Sequence, residues 1–172
     1  TGGRLGARGI NRGIESALPL LKEHGVQLIW QTGGPYFDQA KRAVEALGYT
    51  DCKVHAFVGH MDYAYAVADL VVARAGAISV SELQLVQLPA ILVPLPTAAE
   101  DHQTKNARAL TDRGAAVLVR DDETEKLLGR EIVRLIEDDA ALMHLRTAIA
   151  SLGQHNAADA IAAEVIRLAR SR

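Results

Sequence analysis

The chain has 172 residues, 49% hydrophobic and 23% charged, with a net charge of −2. That is enough for one domain with a sizeable core, and a near-neutral chain with no basic stripe is not built to bind nucleic acid. A single cysteine, Cys52, excludes an intrachain disulfide framework, and no apolar run approaches the roughly 20 residues needed to span a bilayer.

Thr1 to Gly9 reads Thr-Gly-Gly-Arg-Leu-Gly-Ala-Arg-Gly, a glycine-rich loop of the kind that follows a strand and opens a helix. The helix is predicted by Ile10, Ile14, Ala17, Leu18 and Leu21 at helical spacing. The strand is not in front of the loop, so a first strand is expected to lie outside this chain. In a doubly wound sheet of order 3-2-1-4-5-6 that strand is central, and without it two half-sheets with unpaired backbone are expected. The loop is not a P-loop, because no Gly-Lys-Ser/Thr follows, and Gly3, Gly6 and Gly9 do not give G-x-G-x-x-G. The next strand, Val26 to Trp30, runs into Gln31-Thr32-Gly33-Gly34 without the acid that clamps a dinucleotide ribose. A diphosphate held by loop amides fits better than a nicotinamide dinucleotide.

A helix is predicted from Pro35 or Tyr36 to Leu47, stopped by Gly48, then a strand from Lys53 to Phe57. Val58 to Asp62 reads as a strand-end loop leading into a short helix, Met61 to Val67. The apolar run Leu70 to Ala73 reads as a buried parallel strand. Arg74-Ala75-Gly76-Ala77-Ile78-Ser79-Val80-Ser81-Glu82 then makes a small-residue turn and a helix start, with Ser79 and Glu82 at capping-box spacing. Small residues let a ligand approach the backbone, the helix N-terminus favours an anion, and Glu82 can accept from sugar hydroxyls.

Pro89 precedes the strand Ala90 to Val93, which leaves through Pro94-Leu95-Pro96. Asp101 to Arg113 is predicted as a helix, stopped by Gly114, whose polar first turn holds Gln103 and Asn106. Ala115 to Val119 is the last strand, Asp121-Asp122-Glu123 begins a helix, and further helices are predicted from Asp139 to Leu152 and from Asn156 to Ala169. This alternation argues for an α/β fold, a Rossmann-like doubly wound parallel sheet covered on both faces, with ligands at the carboxyl ends of its strands. The glycine loop, Val58 and Met61, Arg74 to Glu82 and Glu100 to Asn106 all fall at that edge.

No His-Glu-x-x-His, Cys-x-x-Cys or Gly-x-Ser-x-Gly occurs, and nothing assembles a full acid–base or nucleophilic set. His60 and His102 sit at the ligand edge as possible contacts, and Cys52 has no base beside it in sequence.

Gly2-Gly3, Gly6-Ala7-Arg8 and Asn11, Phe57-Val58 with Met61, Ala68-Asp69-Leu70-Val71-Val72 with Arg74, Gly76-Ala77, Ser81-Glu82, Leu88-Pro89-Ala90, Val93-Pro94, Gln103 and Asn106 together resemble the MurG family of GT-B glycosyltransferases. The resemblance runs along the whole chain and matches the C-terminal, donor-binding half of those two-domain enzymes. It implies that residues 1–172 form one UDP-sugar donor-binding domain, with the first strand and an N-terminal acceptor domain outside the chain. The implied reaction is inverting transfer of N-acetylglucosamine from UDP-N-acetylglucosamine to the lipid-linked N-acetylmuramoyl-pentapeptide of peptidoglycan synthesis. The complete enzyme would be peripheral at the cytoplasmic face of the bacterial inner membrane, with no obligatory cofactor or metal.

By resemblance, the Val58 backbone meets the uracil. Gly76, Ala77, Ile78, Ser79, Val80, Ser81 and Glu82 wrap the uridine and diphosphate, with Glu82 on the ribose. Gln103 contacts the N-acetylglucosamine, Asn106 supports that wall, and Arg74 matches a family arginine at the same strand end. Where the family usually has Ser after Gly-Gly, this chain has Arg4, whose cation can pair with a phosphate. The catalytic base is expected in the acceptor domain. Two other readings of the same fold are a UDP-N-acetylglucosamine epimerase, and a non-catalytic donor-binding subunit completed in trans.

Overall fold

The computed structural model describes residues 6–96 and 101–152. Gly2, Gly3, Arg4, Glu100 and the helix expected from Asn156 to Ala169 lie outside the described residues. Helices and strands alternate in the predicted order: α1 (Arg8–Glu23), β1 (Leu28–Gln31), α2 (Phe37–Leu47), β2 (Cys52–His55), α3 (Met61–Val67), β3 (Val71–Ala73), α4 (Ala77–Val86), β4 (Ala90–Leu92), α5 (His102–Thr111), β5 (Val117–Leu118), α6 (Thr124–Ile136) and α7 (Asp139–Ala150). Single 3-10 turns, Gly34–Tyr36 and Asp121–Glu123, lead into α2 and α6.

Every strand pair is parallel, with Leu28 opposite Cys52, Val71 opposite Ala90 and Ile91 opposite Val117. The strands form two half-sheets, β1-β2 and β3-β4-β5. This is the order expected for a doubly wound sheet whose central position is taken by no described strand. The central strands are apolar because helices cover both faces: Ala90, Ile91 and Leu92 are each 0% exposed.

Helix α1 buries Ile10, Ile14, Ala17, Leu18 and Leu21 against α6, which contributes Leu128, Ile132 and Leu135 to the same core. Glycines set their close approach. A Cβ on Gly13 would stand 2.8 Å from Thr124 Cβ, and one on Gly129 would stand 2.7 Å from Ala17 Cβ. A second core packs α4, α5 and Ile149 of α7 around β3 and β4. Asn11 is only 2% exposed and joins the two layers. Its Nδ2 donates to Thr32 O at 2.8 Å, and its Oδ1 accepts from Trp30 Nε1 at 3.1 Å.

The capping box expected at Ser79 and Glu82 does not form. Helix α4 starts at Ala77, with Gly76 as an extended N-cap residue and no side-chain cap. Ser79 therefore lies inside the first turn: Gly76 completes the turn after β3, and Ala77, of high helix propensity, can begin the helix at once. Glu82 is engaged elsewhere, its Oε2 accepting from Tyr65 Oη at 3.1 Å.

Candidate functional site: a cleft at the carboxyl edge

A cleft of about 990 Å³ opens at the carboxyl ends of the strands. Gly6 and Gly9, Arg12, Arg74, Gly76, Ser79 and Gln103 line it, so three of the predicted segments converge there. The sequence produces this locally through short turns. Gly6 has φ +75°, and a Cβ at that position would run into the Thr32 carbonyl, so the loop into α1 lies against the end of β1.

Helices α1, α4 and α5 carry no acidic residue in their first turns and no side-chain N-cap hydrogen bond. The first residues of all three are at or beside the cleft. The positive ends of the helix dipoles at α1 and α4 therefore favour an anion there, while the N-cap residue of α5 is an acid, Asp101. Arg8 and Arg12 add cationic charge on α1, while Asp121, Asp122 and Glu125 form the acidic side of the same cleft.

Arg74 stands at the end of β3 with its side chain 14% exposed. Its Nη1 donates to Val93 O at 3.1 Å, to Pro94 O at 3.3 Å and to Asp121 Oδ1 at 2.5 Å. Those bonds tie the exits of β3 and β4 to the turn before α6. Asp121 also abuts Gly9, where any Cβ would overlap its carboxylate. Thr124 Oγ1 completes the junction, 3.0 Å from Gly9 O and 2.9 Å from Asp121 O.

Gln103 lies across the cleft, its Oε1 accepting from Leu95 N at 3.0 Å. The rest of that carboxamide is an NH₂ donor. Asn106 Nδ2 donates to Ala75 O at 3.0 Å, pinning α5 to the small-residue turn.

A family model described as the glycosyltransferase family 28 C-terminal domain matches residues 1–163. The chain belongs to this family. It is 50% identical over 167 residues to a protein of Porphyromonas gingivalis named UDP-N-acetylglucosamine--N-acetylmuramyl-(pentapeptide) pyrophosphoryl-undecaprenol N-acetylglucosamine transferase, covering 97% of this chain and 44% of that protein. A Bacteroides thetaiotaomicron protein of the same name is 46% identical over 172 residues, covering 99% of this chain and 46% of the relative. The family 28 domain thus spans less than half the length of these relatives. A crystal structure of Acinetobacter baumannii MurG superposes with a TM-score of 0.82 at 30% identity, covering 97% of this chain and 48% of that one. The α/β fold of a GT-B C-terminal half expected from the sequence is therefore the fold of this family 28 domain.

The structure distributes the expected site residues unevenly. Arg74, Gly76, Ser79 and Gln103 line the cleft. Ala77 opens α4 beside it, and Ile78 projects from the same turn, 77% exposed. Val80 is a core residue, 9% exposed, whereas Ser81 is exposed on the helix surface. Asn106 supports the turn from behind. Val58 borders a second cavity, and its N–H donates to Gln31 Oε1 at 2.8 Å. Glu82 sits one turn along α4, beside Tyr65. Burial and the neighbouring Glu82 carboxylate push the Tyr65 phenol up to about 12. His60 stacks on Tyr63 with ring centroids 5.2 Å apart.

Sequence reasoning missed Arg12 and Asp121. Arg12 lies one turn after Arg8 on a helix read only for its apolar stripe. In sequence Asp121 is a helix-starting acid, and its pairing with Arg74 spans 47 positions, a separation that no local pattern reveals.

Proposed function

We propose that this chain is the donor-binding half of an inverting N-acetylglucosaminyltransferase that acts on the lipid-linked N-acetylmuramoyl-pentapeptide. The observation that carries the reading is the convergence of uncapped helix starts with Arg74 and the α1 arginines on one strand-end cleft. That environment suits a nucleotide diphosphate. The names carried by relatives at 46–50% identity supply the sugar and the acceptor.

In this reading the diphosphate sits between the start of α1 and the turn Gly76–Ser79, within reach of Arg74. Gly76 to Ser81 follow the uridine along α4, with Glu82 at the ribose and the Val58 backbone at the base. Gln103 donates its amide to the N-acetylglucosamine, and Asn106 holds the wall behind it. The acceptor 4-hydroxyl attacks the anomeric carbon and the bond to the UDP oxygen breaks with inversion. The hydroxyl proton passes to a base in the acceptor half of the polypeptide. Negative charge grows on the departing diphosphate, and prepositioned amides and arginine stabilise it there, so the reaction as drawn requires no bound metal. Arg4 is assigned to the same diphosphate. The complete enzyme works at the cytoplasmic face of the inner membrane as a peripheral protein. Among the described residues no helix is long and apolar enough to cross a membrane.

The test is transfer of labelled N-acetylglucosamine to a lipid-linked acceptor by the complete polypeptide containing this chain. Gln103→Ala should raise KM for the donor while UDP inhibition stays nearly unchanged. Release of free 2-epimerised sugar without transfer would overturn the assignment.

A further inference from the structure

The strand-end cleft sets an acid against its largely buried arginine. Asp121 and Arg74 both line it, and a carboxylate beside a diphosphate site should weaken binding by simple repulsion. The way this pair is built argues for the opposite effect.

Asp121 is fixed on two sides. It opens the 3-10 turn before α6, and Thr124 Oγ1 stands 2.9 Å from its carbonyl oxygen and 3.0 Å from Gly9 O. Thr124 is 2% exposed, so this anchor lies in the packed seam between α1 and α6. The Asp121 carboxylate itself fills the space that a Cβ on Gly9 would need. A carboxylate held in this way cannot swing aside as a mobile plug would. The next acid, Asp122, does not share the task, because both its carboxylate oxygens accept from Arg120.

The bond to Arg74 falls on one corner of the guanidinium. Nη1 donates to Asp121 Oδ1, Val93 O and Pro94 O alike. Of these acceptors only Asp121 is charged, and a charge-assisted bond is roughly twice as strong as a neutral one. None of the three bonds uses Nε or Nη2, the edge of the planar fork that can grip a phosphate with two parallel N–H groups. Without the carboxylate, that long side chain would have to be ordered by the ligand, at a cost in affinity.

We propose that Asp121 is a positioning residue for the nucleotide diphosphate: it holds Arg74 by Nη1 and so presents the Nε–Nη2 edge to the phosphates. The inference rests on the donor reading above and adds to it a residue that acts through Arg74. Coulomb repulsion and positioning predict opposite signs for loss of the carboxylate, so affinity decides between them.

The experiment is calorimetric titration of the complete polypeptide containing this chain with UDP and, separately, with uridine. The proteins are the unaltered form, Asp121→Ala, Asp121→Asn, Arg74→Ala and the double variant. Asp121→Ala should weaken UDP binding about tenfold and Asp121→Asn, which keeps a neutral acceptor, about threefold, with uridine changed less than about twofold. The double variant should bind UDP as Arg74→Ala does, because Asp121 has no effect once the arginine is gone. An unaltered protein that binds no UDP would overturn the donor reading and this inference with it. Where the unaltered protein binds UDP, tighter UDP binding by either Asp121 variant would overturn the inference alone. So would equal losses for UDP and uridine, which a merely structural brace would give, or a double variant weaker than Arg74→Ala by the full Asp121→Ala factor. If Asp121→Ala does not fold, Asp121→Asn decides by the same sign.

Discussion

Gly129→Ala is the sharpest test of how α1 is held over the cleft. The new methyl would stand 2.7 Å from Ala17 Cβ and 3.5 Å from Leu20 Cδ2. Apolar carbons rest at about 3.5–4.0 Å, so the first contact is too short by about an ångström. Overpacking of this kind costs about 1–3 kcal/mol, and the gain in helix propensity from Gly to Ala returns about 1 kcal/mol. The single variant should lose up to about 2 kcal/mol. Ala17→Gly should lose about 2 kcal/mol, from one buried methyl and the reverse propensity change. Together the two changes move a methyl from one helix to the other and the propensity changes cancel, so the double variant should lose less than about 1 kcal/mol rather than the roughly 2–4 kcal/mol of simple addition. Urea unfolding followed by Trp30 emission measures all four proteins. Losses that add to within about 0.5 kcal/mol would refute the argument that these two helices touch through Gly129 and Ala17.

Asn11→Ala should cost about 2–4 kcal/mol, because Trp30 N–H and Thr32 O each lose a partner inside the core, and Asn11→Asp should not restore both bonds. Arg74→Ala should weaken UDP binding by about tenfold to a hundredfold while uridine binding changes little, since charge-assisted bonds to phosphate contribute about 1.5–3 kcal/mol. The Tyr65 phenol is raised from 10.0 to about 12 by burial first and Glu82 second. The folded state therefore holds that proton more tightly, and the associated stability is complete below pH 10 and lost as pH rises through 12. Tyr65→Phe should lessen the alkaline loss in a stability–pH profile, and the raised Tyr49 phenol and Cys52 thiol should keep the remainder. Burial also raises the Cys52 thiol to about 11, so the folded protein should react slowly with a thiol reagent at pH 8 and quickly in urea.

The order of elements was legible because each carries a local signal: the Ile10–Leu21 stripe, the Gly48 stop, the valine-rich run before Arg74. The start of α4 was misplaced because Ser79 and Glu82 mimic a capping box, whereas Gly76 and Ala77 make the helix begin earlier. Within the cleft, sequence pointed to the small-residue turns and to Gln103, residues that act through backbone or a single amide. It did not reveal what restrains Arg74, because Asp121, Val93 and Pro94 reach it only through the fold.

Calorimetric titration of the folded chain with UDP-N-acetylglucosamine, beside UDP-glucose and NAD, tests the central claim most directly. The account predicts saturable one-to-one binding of UDP-N-acetylglucosamine, weaker binding of UDP-glucose and none of NAD, with the preference for the N-acetyl sugar lost in Gln103→Ala. Equal heats for the three ligands, or no heat with UDP-N-acetylglucosamine from a chain shown to be folded, would contradict it.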